Sequence, residues 1–362
     1  MNENDLQYMA RALQLAIQGA GHVSPNPMVG AVIVCDNRII GEGWHRQYGQ
    51  GHAEVNAVAS VPNPDDLKRS TLYVTLEPCS HYGKTPPCAQ LIIDRGIPRV
   101  VVGTLDPFPQ VAGRGVEMLR QAGVEVTVGV LEQQCRQLNR RFITAHTTHR
   151  PWVQLKWAQT ADGCTADSSG TPLQLSTPAT ATLMHRHRAL CDAIVVGANT
   201  VRNDDPSLTT RLWPGRDALR VVLDRHLSIP DHSRLLTDGG NTIIYNATLN
   251  DKRGNVQWVQ MDTDEPQTWL ADLYNRGITS VMVEGGRHVL QQLIDADMWN
   301  EARIEVVPRH CTSGIGIPAP SLARGTVRQQ LTADGNTIVV LDNSHHPCRN
   351  PHTATSIGHT GL

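Results

Sequence analysis

Four side chains constrain this 362-residue chain more than its composition does: His52, Glu54, Cys79 directly after Pro78, and Cys88 beyond an eight-residue loop. One imidazole and two thiolates make three zinc ligands, and the carboxylate need not be a ligand. A closed structural zinc site takes four protein ligands, whereas a hydrolytic one keeps a position for water and sets an acid/base beside it. The cysteines follow the pattern Cys-x8-Cys, not the tight Cys-x-x-Cys of a zinc ribbon, so they can share an ion only where separate elements converge.

The surrounding pattern supplies those elements. Apolar residues at Leu6, Met9, Ala10, Leu13, Ala16 and Ile17 predict a first helix behind Asn4 and Asp5. The run Val29–Val34, the turn residues Asp36-Asn37 and a second extended run from Ile39 predict a hairpin. Residues 52–59 read as a helix, 71–77 as a strand, 89–94 as a helix, 99–105 as a strand, 116–121 as a helix, 124–130 as a strand and 131–142 as a helix, an α/β alternation. His52 and Glu54 then open one helix and Cys88 the next, with Cys79 just past a strand. Helix N-termini carry partial positive charge that favours thiolate. The blander reading is a structural zinc clip with His81 as fourth ligand, but it leaves Glu54 without a purpose. In the catalytic reading zinc lowers the pKa of bound water from about 15.7 toward about 7, and Glu54 shuttles the proton. Iron is a formal alternative metal.

Composition excludes several classes. Net charge is −2 and aromatic residues are 4% of the chain, so a basic groove with stacking rings for nucleic acid is not expected. No apolar run approaches the roughly 20 residues that cross a bilayer, and the polar start Met1-Asn2-Glu3-Asn4-Asp5 is unlike a secretory signal. Eight cysteines spread thinly over a chain with no export signal argue for reduced thiols and a cytoplasmic setting. The expected partner is a small molecule, and a homo-oligomer is left open.

The length calls for two domains. The polar segment 143–151, which has no apolar period, marks the boundary, giving domains 1–146 and 147–342 and a disordered tail over 343–362. The second half repeats the alternation: strands over 152–156, 193–197, 221–224, 242–245 and 280–284, with helices over 179–190, 269–275 and 289–294. It has no Gly-x-Gly-x-x-Gly fingerprint. Lys156 inside an apolar strand is either at an exposed edge or aimed into a site, and Gly285-Gly286 before a helix could admit a phosphate.

His-x-Glu followed by Pro-Cys and a second Cys resembles the zinc-dependent cytidine deaminase superfamily. The segments Ser24–Val32, Gly41–His45, Gly51–Val55 and Thr75–Cys88, with the long loop between the cysteines, resemble more closely the deaminase domain of the bifunctional riboflavin-biosynthesis deaminase/reductases. The resemblance implies a cytidine-deaminase-like α/β/α fold and hydrolytic removal of a ring amino group from a phosphorylated pyrimidine, 2,5-diamino-6-ribosylamino-4(3H)-pyrimidinone 5′-phosphate. It also implies Asn26, His45 and Lys84 as substrate contacts. Downstream, Leu155–Ala158, His187–Ala189, Asp204–Arg211 and Val283–Gly286 resemble the reductase domain of the same family. That implies a dihydrofolate-reductase-like α/β fold using NADPH to reduce the ribosyl group. The implied NADPH contacts are Ala158, Thr200, Asp204, Gly286, Arg287, His288, Val289, Leu290, Gln291 and Gln292; the implied substrate contacts are Leu208, Arg211 and Glu284, with Lys156 catalytic. The half departs from the pattern at Pro172, at Gln174-Leu175-Ser176 and after Val307-Pro308, where Arg309-His310-Cys311 replace the usual Leu-Gly ending. The alternative these departures raise is a deaminase whose second domain is only a scaffold.

Overall fold

The computed structural model describes residues 3–82, 86–108, 112–167, 173–311 and 316–344. The chain divides into two compact units, Met1–Thr148 and His149–Leu362. The tail expected over 343–362 lies outside the described residues from 345 onward.

The first unit runs α1 (Glu3–Ile17), β1 (Gly30–Cys35), β2 (Arg38–Trp44), α2 (Ala53–Ala59), β3 (Thr71–Leu76), α3 (Cys88–Asp94), β4 (Arg99–Thr104), α4 (Arg114–Gln121), β5 (Glu125–Val128), α5 (Glu132–Leu138) and α6 (Arg140–Thr148). Its sheet has the order β2-β1-β3-β4-β5. The β1–β2 hairpin turns on Asp36 (φ 51°) and Asn37 (φ 58°), the left-handed pair that a two-residue turn needs. β1 is antiparallel to β3, and β3, β4 and β5 are parallel. Strand alternation sends Leu72, Val74, Val100 and Val102 to one face, against α2, α3 and α4. Val32, Val34, Tyr73 and Val101 go to the other, against α1 and Cys135 of α5. The result is the α/β/α sandwich that the residue pattern implies.

Two local expectations are corrected. The helix read over 131–142 breaks at Asn139, whose buried side chain accepts the N–H of Met28 and donates to its carbonyl, both at 2.8 Å. The segment 143–151, read as a linker, is helical through Thr148. Its Ile143, Thr144 and Ala145 are buried, and the Thr147 and Thr148 hydroxyls donate back to the carbonyls of Ile143 (2.8 Å) and Thr144 (2.7 Å). Residues that resemble loop formers are here bonding within a helix.

α1 is fastened to the sheet by a buried acid. Asp5 receives both terminal nitrogens of the Arg99 guanidinium at 3.0 Å and the Tyr73 hydroxyl at 2.8 Å. Those bonds, led by Arg99, hold its carboxyl below the ordinary carboxylate range. Asp5→Asn should cost about 2–3 kcal/mol at neutral pH, since it strands a partly buried cation. Because the folded-state pKa is depressed, this stability is present above about pH 3.9 and is lost as pH falls through the folded value. Thermal unfolding of both proteins from pH 7 to 3 checks it: the gap should narrow at the acid end, and a constant gap would contradict the assignment.

The second unit runs β6 (Trp152–Thr160), β7 (Cys164–Ala166), α7 (Pro178–Ala189), β8 (Ala193–Gly197), α8 (Ala198–Asp204), β9 (Leu219–Leu223), α9 (Arg234–Thr237), β10 (Thr242–Asn246), β11 (Asp251–Arg253), β12 (Val256–Gln260), α10 (Pro266–Asn275), β13 (Ser280–Glu284), α11 (Arg287–Asp295), β14 (Glu301–Val307), β15 (Ile317–Pro318), β16 (Thr326–Ala333) and β17 (Asn336–Asp342). Among the described residues a ten-stranded sheet has the order β11-β12-β10-β9-β8-β13-β6-β14-β17-β16. The strands from β12 to β14 are mutually parallel. α10 and α11 cover one face and α7 and α8 the other. β13 returns to lie between β8 and β6, so strand order reverses there, and the carboxyl ends of such strands open a crevice.

The sequence pattern missed α8 and the β14-β17-β16 flank. Asp204, read as part of a loop, is the last residue of α8, and Asp205 (φ 38°) caps it. The flank is obscured because its buried apolar positions, such as Ala302, Ile338 and Val340, are interleaved with buried polar ones. Glu301 is 1% exposed, yet it pairs with Arg328 and accepts from Gln154, while Arg328 also binds Asp342 at 2.7 Å. An apolar period cannot reveal a face satisfied by ion pairs.

Candidate active sites

In the first unit, three segments converge. His52 is the N-cap of α2 (φ −69°, ψ 167°), Glu54 lies in that helix's first turn, and Cys88 is the first residue of α3 behind Pro87. Cys79 enters from the end of β3. The ligand atoms of His52, Cys79 and Cys88 lie within 4.8 Å of one another. His52 Nδ1 is 3.7 Å from Cys79 Sγ and 3.4 Å from Cys88 Sγ. A tetrahedral zinc with ordinary Zn–S and Zn–N bonds holds such atoms roughly 3.5 Å apart, so the donor set and its spacing fit the metal.

Local bonds favour the ligand form of Cys79, while the same contact holds the Cys88 thiol protonated. The hydrogen bond with Cys88 draws the Cys79 thiol well below its ordinary range, helped by His52, and the Cys88 backbone N–H donates to Cys79 Sγ at 3.2 Å. Glu54 is 3% exposed, and burial together with the nearby Cys79 pushes its carboxyl up to about 7. A carboxyl poised there can hold a proton and give it up near neutral pH.

His45 and Asn26, expected at the substrate, stand beside this group. His45 is 2% exposed and its ring meets that of His52 edge-on at 5.6 Å. Its Nδ1 lies 3.1 Å from the Gly51 carbonyl, which can only accept, so Nδ1 carries the proton. Nε2 then accepts from Asn26 Nδ2 at 3.2 Å. Burial lowers the His45 pKa, which keeps this neutral tautomer. Lys84 lies outside the described residues. His81 is exposed and is not part of the metal-capable group, so the closed four-ligand alternative lacks its fourth ligand among the described residues. Asp106, at the end of β4, was not singled out by the sequence. Its half-buried carboxyl accepts the Phe108 N–H at 2.8 Å and feels the charges of Glu77, His81 and Cys79, but as a lone acid before proline it gave no signal.

In the second unit a cavity of about 310 Å³ opens at the strand-order reversal. Lys156 is mid-strand in β6, an interior strand, so it is aimed into the cavity rather than out of an edge. Register pairs it with Glu284 on β13. Among the described residues no acceptor lies within hydrogen-bond distance of its amine, and loss of hydration lowers its pKa against the pull of Glu284 and Glu305. Glu284 is held by Arg188 through two parallel bonds of 2.7 and 2.6 Å, while Arg188 also donates to the Thr209 carbonyl at 3.0 Å.

Of the residues expected at this site, Lys156, Ala158, Thr200, Asp204, Leu208, Glu284, Gly286, Arg287 and Leu290 line the cavity. His288, Val289, Gln291, Gln292 and Arg211 do not. α11 turns about 100° per residue, so the stretch expected as one continuous contact cannot all face one cavity. Val289 packs into the core at 4% exposure, His288 is exposed, and Gln291 binds Asp295 and Ser321. Arg211 is exposed and rests on the Ser207 and Thr209 hydroxyls. Arg188, Thr165 and Pro320 line the cavity without having been assigned there. Arg188 could have been found from Glu284, since a buried carboxylate demands a cation. Gly285 (φ 90°) and Gly286 (φ 74°) join β13 to α11 in left-handed conformations, and a Cβ on Gly286 would sit 3.3 Å from Thr200 Oγ1. The positive φ at both positions is what favours glycine, and a side chain on Gly286 would also press on Thr200.

Residues 2–104 match the cytidine and deoxycytidylate deaminase zinc-binding region, and residues 151–311 match the RibD C-terminal domain. The riboflavin biosynthesis protein RibD of Aquifex aeolicus (strain VF5) is 40% identical over 88% of this chain and 90% of its own. That of Bacillus amyloliquefaciens is 42% identical over 90% and 89%. The crystal structure of a diaminohydroxyphosphoribosylaminopyrimidine deaminase/5-amino-6-(5-phosphoribosylamino)uracil reductase from Thermotoga maritima superposes with a TM-score of 0.86 at 37% identity, covering 94% of this chain and 99% of that one. RibD of Acinetobacter baumannii gives 0.87 at 31% identity with the same coverage. Because the matches run through both units, the deaminase-only alternative has no support. The chain belongs to the RibD family of bifunctional riboflavin-biosynthesis enzymes, with a zinc-dependent deaminase unit followed by an NADPH-dependent reductase unit.

Proposed function

We propose that the chain deaminates 2,5-diamino-6-ribosylamino-4(3H)-pyrimidinone 5′-phosphate at the first site and reduces the ribosyl group of the product at the second. The observation that carries the first step is the grouping of His52, Cys79 and Cys88 within 4.8 Å beside a buried Glu54. These three residues would hold the zinc, whose Lewis acidity makes water nucleophilic near neutral pH. Glu54 would accept a proton from the water that adds to the ring carbon and return it to the amino group, which leaves as ammonia when its C–N bond breaks. Asn26 and His45 orient the pyrimidine, with Asn26 held by His45 Nε2, and Lys84 meets the phosphate.

At the second site NADPH would supply the hydride. Ala158, Thr200, Asp204 and the Gly286 turn with α11 contact the nucleotide, Gly286, Arg287 and Leu290 directly and His288, Val289, Gln291 and Gln292 by supporting that face. Lys156 polarises the sugar oxygen on the carbon that accepts the hydride, from a position beside Glu284. Leu208 and Glu284 border the sugar, and Arg211 faces the phosphate, where a guanidinium can bind in bidentate fashion. No described helix is long and apolar enough to cross a membrane. The slight negative charge supports a small phosphorylated pyrimidine over nucleic acid as partner, and the thinly spread thiols support a cytoplasmic setting.

The test joins metal analysis to two assays on the same protein. Zinc content near one per chain, ammonia release from the diaminopyrimidine, and NADPH oxidation by the deaminated intermediate are expected. Zinc-loaded protein that releases no ammonia would overturn the substrate assignment.

A further inference from the structure

We infer that Glu77 is a positioning residue for the metal centre, acting on Cys79 through the Pro78 peptide. This rests on the reading of Cys79 as a ligand. Glu77 is the first residue past β3 and is 5% exposed. Among the described ion pairs it has no cation partner. Its carboxylate is satisfied by four backbone N–H groups: Asp106 (3.1 Å) and Gly113 (2.9 Å) on one oxygen, Gly115 (2.8 Å) and Val116 (3.2 Å) on the other. Its own N–H donates to the Thr104 carbonyl at 2.9 Å.

Two of those donors belong to the first turn of α4, whose N-terminal N–H groups have no partner within the helix. The N-cap there is Gly113, which has no side chain to offer. Glu77 therefore caps α4 from another strand and at the same time ties down the loop that carries Asp106. The contact is close enough to demand glycine: a Cβ at Gly115 would lie 2.0 Å from the Pro78 carbonyl oxygen. Between the Glu77 carboxylate and Cys79 stands only Pro78, whose ring fixes one backbone dihedral. The short rigid link transmits the position of Glu77 to the Cys79 thiol, which must meet His52 Nδ1 and the Cys88 N–H within tenths of an ångström.

The experiment uses the full-length chain, so that the second unit reports on folding. Zinc affinity is read by competition with a chromogenic chelator, and both activities are assayed on each preparation. Glu77→Gln replaces one accepting oxygen with an NH₂ that faces two N–H donors. It should weaken zinc binding on the order of 10–100-fold, the range for outer partners of metal ligands, with NADPH-dependent reduction unchanged. Glu77→Asp, which keeps the charge but retracts it, should fall between. Gly115→Ala keeps the carboxylate's charge but forces Pro78 away and crowds Glu77 Oε1 at 3.2 Å, and it should weaken zinc binding in the same way. Wild-type zinc affinity in Glu77→Gln would overturn the inference. So would weakened binding accompanied by loss of the first unit's cooperative thermal transition, because Glu77 would then serve the fold and not the ligand. If the metal-binding reading of Cys79 itself is wrong, Cys79→Ser will keep wild-type zinc affinity, which separates the two failures.

Discussion

Glu54→Gln should lower ammonia release by roughly 10²–10⁴-fold, the usual cost of removing one acid/base group, with zinc content and NADPH-dependent reduction unaltered. The substitution preserves shape and hydrogen-bonding capacity but cannot accept and return a proton. It also removes a buried carboxyl whose pKa burial has raised to about 7, so the folded protein should not lose stability through it. Steady-state deamination alongside metal analysis checks the claim. Undiminished turnover with zinc still bound would remove Glu54 from the mechanism and reopen the question of what carries the proton.

Lys156→Met should cut NADPH-dependent reduction by about 10²–10³-fold, the magnitude seen when a charge aimed at a developing oxyanion is lost, while deamination continues at the wild-type rate. The same substitution should raise thermal stability. The amine is half-buried in an interior strand, has no hydrogen-bond acceptor among the described residues, and is disfavoured by lost hydration. An apolar side chain of similar length removes that cost. Reduction assays and a melting curve test both halves together. Lower stability with intact reduction would mean that Lys156 is a structural member of the Glu284 and Glu305 neighbourhood and does not act on the sugar.

The metal-capable group was legible because its residues each have a distinct chemistry and sit at element ends, where spacing translates into position. Lys156 was legible for the opposite reason, as a charge in a strand that should have been apolar. Arg188 was not, because a cation in the last turn of a helix looks like ordinary macrodipole pairing until its partner Glu284 is placed 96 residues away. In the strands of residues 301–342 the buried apolar residues Ala302, Ile338 and Val340 are interleaved with the polar set Glu301, Glu305 and Asn336, which blurs the apolar period. Of the stretch expected at α11, Gly286, Arg287 and Leu290 line the cavity, because a helix divides a matched stretch among its faces. Asn139 gave no warning at all: a single amide that binds a peptide group far away has no local signature.

That amide carries a consequence for the order in which the chain is made. Met28 and Asn139 are 111 residues apart, so the segment holding Asn26 emerges from the ribosome long before the residue that fastens it. The metal-capable group is braced through Glu77 by the N–H groups of residues 106–116, so it waits for α4, and the segment beside it waits longer still, for Asn139. In order of synthesis, the fastening of the segment that holds Asn26 is therefore among the last steps in completing this unit.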